Sequence, residues 1–164
     1  MLSLLRLNKA YVERLVVKAS SAPGIGQQED YKVVVSHSTP GAQTEGNARM
    51  LRLTVRLRPS ADGDDGMMTS FDEITVSLLG VFAFAEGATD DDKAKLFPVN
   101  AVSILFGLAR GVIAQATGMC PAGSFMLPPV NVVAAARKRR LVGECSLKLG
   151  GPHQVGVVDH VSGT

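Results

Sequence analysis

The chain has no tryptophan, and aromatic residues make up only 5% of its 164 positions. Aliphatic side chains must therefore build its core and any sticky surface. Its two cysteines, Cys120 and Cys145, are too far apart for a zinc or redox motif and read as reduced thiols of a cytoplasmic protein. Its three histidines, His37, His153 and His160, are scattered without metal-ligand spacing, so no metal site is expected. Gly24-Ile25-Gly26 runs into Gln27-Gln28 instead of a third glycine opening a helix, and neither a Walker loop nor a Gly-x-Ser-x-Gly elbow is present. These gaps argue against an enzyme, and no cofactor is expected.

Charge is equally sparse. Charged residues are 20% of the chain, and the net charge of +2 is too small by itself to indicate nucleic acid. The opening MLSLLRLNKAYVERL lacks the order of basic region, long apolar run and cleavage site of a secretory signal, so a cytoplasmic location is expected. Val99 to Gly118 nears the length of a membrane span, but Asn100, Arg110 and Gln115 interrupt it, and an arginine at mid-bilayer costs roughly 2.5 kcal/mol or more. A helix buried between protein layers, with no membrane insertion, is the better reading.

Hydrophobic residues are abundant at 46%, an excess that suggests an oligomer. Candidate strands run over Tyr11 to Ala19 and Tyr31 to Val35. The clearest is the third, where Leu51, Leu53, Val55 and Leu57 alternate with Arg52, Thr54, Arg56 and Arg58, leaving one face apolar and the other basic. Asp62-Gly63-Asp64-Asp65-Gly66 supplies turn residues, and Phe71 to Phe84 returns as a fourth strand, giving an antiparallel hairpin that brings Asp72 or Glu73 near those arginines. Gly80 marks a bulge or bend in that strand.

After the acidic run Asp90-Asp91-Asp92 the pattern turns helical. Pro98 is expected near the first turn of a helix carrying Val102, Leu105, Phe106, Ala109, Val112 and Ile113 at three-and-four spacing, with Gly107, Gly111, Ala114 and Ala116 keeping the rest thin. Gly118 closes it, Pro121 and Gly123 keep the turn irregular, and Pro128-Pro129 opens a second helix over Val130 to Leu141, ending in Arg137-Lys138-Arg139-Arg140. The reading is one domain over residues 1–149 and a mobile tail over 150–164, in which Val155, Val157 and Val158 allow a short strand.

The stretches Ile104 to Arg110 and Pro129 to Asn131 resemble the protein-export chaperone family SecB. Ile104-Leu105-Phe106-Gly107-Leu108-Ala109-Arg110 is similar to that family's Ile-Leu-Phe-Pro-Tyr-Ala-Arg, and Pro129-Val130-Asn131 to its Ala-Pro-Val-Asn-Phe. Ala22-Pro23, Leu51 to Val55 and Gly80-Val81-Phe82 follow in the same order. The resemblance implies an α+β fold, a four-stranded antiparallel sheet followed by two helices packed on one face. It also implies a homotetramer, a dimer of dimers with Leu105, Phe106, Ala109, Val112 and Ile113 on the oligomer helix. The implied activity is ATP-independent holding of unfolded or precursor polypeptides for export. The implied peptide groove takes Val33, Val35, Phe82, Phe84 and Val132.

The chain departs from that family at Gly107, Leu108, Val132 and Ala136, which blunts an aromatic subsite. It departs again at Arg14 and Lys18, which stand where the family's acidic residues dock the motor SecA, and like charges facing a basic partner weigh against that hand-off. With Arg52, Arg56 and Arg58 these form a basic surface. The alternatives are a dedicated chaperone of a single client such as an antitoxin, and a non-chaperone module for an apolar ligand or an acidic partner.

Overall fold

The computed structural model describes residues 4–21, 31–40, 47–59, 70–127 and 145–148. Strands β1 (Leu5–Ala19), β2 (Tyr31–Ser38), β3 (Ala48–Pro59) and β4 (Phe71–Phe84) precede helix α1 (Asp90–Thr117), and a short strand β5 (Cys145–Lys148) follows. All pairings are antiparallel, in the order β1-β4-β3-β2-β5. The alternation of β3 fixes the register: Leu51, Leu53, Val55 and Leu57 are buried opposite Gly80, Leu78, Val76 and Ile74 of β4. A slip of one residue would turn Arg52 and Arg56 into the core, which is why the pairing is unambiguous.

Helix α1 packs on β4, β1 and β3. Its buried face is Phe97, Ala101, Val102, Leu105, Phe106, Ala109 and Ile113, which spans the width of an amphipathic stripe. The start of the helix differs from the sequence expectation, which placed Pro98 in the first turn. Pro98 lies inside the helix, and the start is set eight residues earlier by a capping box. Thr89 Oγ1 accepts from the Asp92 backbone N–H at 3.2 Å, and Asp92 Oδ2 accepts from the Thr89 backbone N–H at 3.2 Å. Asp90, Asp91 and Asp92 meet the positive end of the helix dipole. Together these outweigh the one intrahelical bond that Pro98 leaves unmade. Gly87, at a φ of 88°, makes the turn that delivers the chain into this cap. Thr89→Ala should therefore cost about 1 kcal/mol, read as a lower denaturant midpoint at unchanged slope.

Gly80 also differs from expectation. The register shifts lie in β1, between Leu7 and Lys9, Val12 and Arg14, and Lys18 and Ala19, while Gly80 pairs regularly with Leu51 and Ala10. The glycine instead permits close approach: a Cβ there would lie 2.9 Å from Leu105 Cδ2 and 2.7 Å from Phe82 Cε2. Gly118 caps α1 as expected, its N–H bonded to Ala114 O at 3.0 Å. The following turn folds back through Phe125 N–H to Thr117 Oγ1 at 2.8 Å and Arg110 Nε to Leu127 O at 2.8 Å. It seats Phe125 edge-on against Tyr31 and Phe71. The expected second helix, its cationic end and the tail lie outside the described residues, apart from the backbone of β5, whose pairing on β2 had no counterpart in the sequence reading.

Candidate functional site

The sheet has two unlike faces. One packs against α1 and the turn that follows it. On the other, the register aligns Arg14 with Ser77, Lys18 with Glu73, Arg52 with Leu79, Arg56 with Thr75, and Lys32 with Arg58. All five residues predicted as a basic surface, Arg14, Lys18, Arg52, Arg56 and Arg58, thus share this outer face. Thr54 and Ser77 are joined there by a 2.9 Å hydroxyl contact.

Two carboxylates are set among these cations. Arg52 grips Glu13 with two bonds, Nε to Oε2 at 2.5 Å and Nη2 to Oε1 at 2.8 Å. Glu73 accepts from Lys18 Nζ at 3.0 Å and lies 3.9 Å from Arg58. The Arg52 hydrogen bond holds the Glu13 carboxyl below its usual value of 4.5, and the Lys18 bond does the same for Glu73. Asp92 is held below 3.8 by its bonds from Thr89. Groups whose acidity is raised by folding stabilise the chain above their unfolded pKa and lose that contribution as pH falls through their folded one. Thermal stability should decline as pH drops below about 4.5, with a shallower slope in a Glu13→Gln/Glu73→Gln variant. Exposed pairs of this kind are weak, so the decline should be modest.

The residues proposed for a peptide groove separate on burial. Val33 and Phe82 are 0% exposed and Phe84 is 7% exposed; they form the core with α1 and the sheet, whereas Val35 is half-buried at its margin. Val132 lies outside the described residues. The helix residues divide similarly. Leu105, Phe106, Ala109 and Ile113 are buried against the chain's own sheet, so they are not open to another copy, and Val112 is half-buried. The exposed face of α1 is the opposite one: Ser103, Gly107, Leu108, Gly111 and Gln115. The three-and-four spacing found the apolar stripe but not what covers it. By length and composition α1 would reach across a membrane, but its apolar stripe is occupied by the sheet.

Apolar side chains that remain open were not singled out in the sequence. Tyr11, Val12 and Leu15 of β1 are 49%, 52% and 43% exposed, and Met119 and Met126 of the turn after α1 are 82% and 62% exposed. β1 ends the sheet, so one side of its backbone has no strand partner among the described residues. Long open edges of this kind are ready templates for another strand. Their signal in the sequence was the β-branched density of Val12, Val16 and Val17 beside Tyr11. No grouping of His, Cys, Asp or Glu among the described residues forms a metal-binding cluster.

The architecture is an α+β fold in which an antiparallel sheet of four successive strands is followed by a long helix on one face, and this is the SecB-like arrangement. It is similar to the Mycobacterium tuberculosis SecB-like chaperone Rv1957, solved in complex with a ChAD peptide from the Rv1956 HigA1 antitoxin. The TM-score is 0.60, with 12% identity over 77% of this chain and 91% of that one. No protein-family model and no curated protein matches the chain. At 12% identity the likeness establishes the fold.

Proposed function

We propose that this chain is a chaperone that holds unfolded polypeptides without ATP. The observation that carries the reading is the SecB-like fold shared with a protein solved on a peptide client. The exposed aliphatic and methionine side chains at the sheet edge and in the turn after α1 support it. Many weak aliphatic contacts, with backbone pairing along an open strand, give broad and avid binding without a specific pocket. Val35, with Met119 and Met126, offers accessible surface to a client, while Val33, Phe82 and Phe84 support it from beneath.

The assembly we infer is a homotetramer, a dimer of dimers, with the thin face of α1 between sheets. Clients are cytoplasmic polypeptides, either precursors for export or a single dedicated partner. The neighbour's peptide comes from an antitoxin, which favours weighing the dedicated role equally. SecA hand-off does not fit a β1 whose outer face carries Arg14 and Lys18. The chain is read as a non-enzyme with no cofactor.

The test is light scattering of slowly refolding clients with and without the protein, beside its mass in solution. Suppression of aggregation without ATP by a tetramer is the expected outcome. Suppression limited to one client out of several assigns the dedicated role. A protein inert toward every client overturns the reading.

A further inference from the structure

The outer face of the sheet carries charge that the ion pairs of the fold do not use. Lys32, Val34, Arg56 and Arg58 line a shallow depression of about 190 Å³ on that face. Lys32 stands directly across from Arg58, and Val34 from Arg56. Arg58 has Glu73 only at 3.9 Å, its side chain being 67% exposed. Lys32 and Arg56 have no carboxylate within ion-pair distance among the described residues. Like charges placed directly opposite on neighbouring strands destabilise a sheet. Stability alone therefore gives no reason to gather three cations around one valine.

We propose that this depression docks an acidic segment of a partner protein in extended conformation. Arg56 and Arg58 are two residues apart on one strand, roughly 7 Å, the repeat of alternate side chains in an extended peptide. Carboxylates at alternate positions of such a peptide meet the two guanidinium groups in register, which suits the forked donors of arginine. Lys32 takes a third carboxylate, and Val34 gives an aliphatic side chain a seat between them. Glu73, 3.9 Å from Arg58, stands at one end of the depression, and its charge disfavours a continuous phosphate run there while leaving room for a short acidic peptide. This face lies opposite α1, so packing through the helix does not cover it.

Fluorescence anisotropy of a short fluorescein-labelled peptide, glutamates alternating with serine around one leucine, tests this on the full chain. The parent should bind it, and binding should weaken as sodium chloride rises to about 0.5 M. The variant Lys32→Glu/Arg56→Glu breaks none of the ion pairs described above and should lose at least about tenfold in affinity. Its circular dichroism spectrum and its suppression of client aggregation should be unchanged, so failure of this site and failure of the chaperone reading are separable. Lys32→Gln/Arg56→Gln should fall between parent and reversal. A parent that does not bind the peptide, a reversal variant that binds as well as the parent, or a single-stranded oligonucleotide of equal charge binding more tightly than the peptide would overturn the proposal.

Discussion

Phe82→Ala should cost about 3–5 kcal/mol, a large share of the roughly 5–15 kcal/mol that holds a domain folded. Urea unfolding should show the midpoint fall with little change in slope. The ring is fully buried, meets Phe97 edge-on with centroids 5.7 Å apart, and lies where the backbone of Gly80 leaves room for it. Truncation opens a cavity beneath α1 that the sheet cannot collapse to fill, because Leu7 and Arg49 beside it are held by strand pairing. The same substitution separates two roles for this residue. A side chain lining a client groove would lose client affinity at small cost in stability, whereas one wedged between helix and sheet loses stability first. Val35→Ser provides the contrast: at the half-buried margin it should destabilise by about 1 kcal/mol and reduce aggregation suppression more than Phe82→Ala does per unit of stability lost. An intact midpoint in Phe82→Ala with abolished client holding would overturn the core assignment.

The boundary between what the sequence disclosed and what it hid follows from what period and composition measure. Strand β4 has the bounds the sequence suggested, Phe71 to Phe84, and the buried and wet faces of β3 follow its alternation residue by residue. Alternation says which side chains share a face, and for Arg52, Arg56 and Arg58 this sufficed to place them together. It does not say what lies over that face. Phe82 needed an apolar cover in either case, and only the position of α1 shows that its cover is intramolecular.

The helix start was missed for a different reason. Pro98 is a strong local signal, while the Thr89 and Asp92 capping box is spread over three residues inside an acidic run that read as a loop. The open β1 edge was hidden because exposure of Tyr11, Val12 and Leu15 depends on where the sheet ends, a property of topology. The four residues of β5 have no pattern long enough to read, and their pairing with β2 is settled by the register of a strand far away in sequence.

Gly80→Val should be as damaging as the loss of the Phe82 ring, through overpacking. Even the first added carbon would lie 2.9 Å from Leu105 and 2.7 Å from Phe82, both 0% exposed and without free space to retreat into. Overpacking at such a site costs about 1–3 kcal/mol, and the two extra methyl groups of valine place the effect at the upper end, although valine is the better strand former. Gly107→Ala is the opposing control, because a Cβ there meets nothing within 4 Å and glycine is a poor residue inside a helix. In a chain whose outer helix face is open, Gly107→Ala should add about 0.5–1 kcal/mol. If the thin face of α1 packs between copies, the same methyl group is forced into a partner, and the gain turns into a loss that depends on protein concentration. Thermal unfolding of both variants at two concentrations, with mass measured in solution, thus reads the inner and outer faces of α1 separately. A Gly80→Val protein as stable as the parent would mean that α1 does not rest on the sheet at Leu105, and the seat of the helix would have to be reassigned.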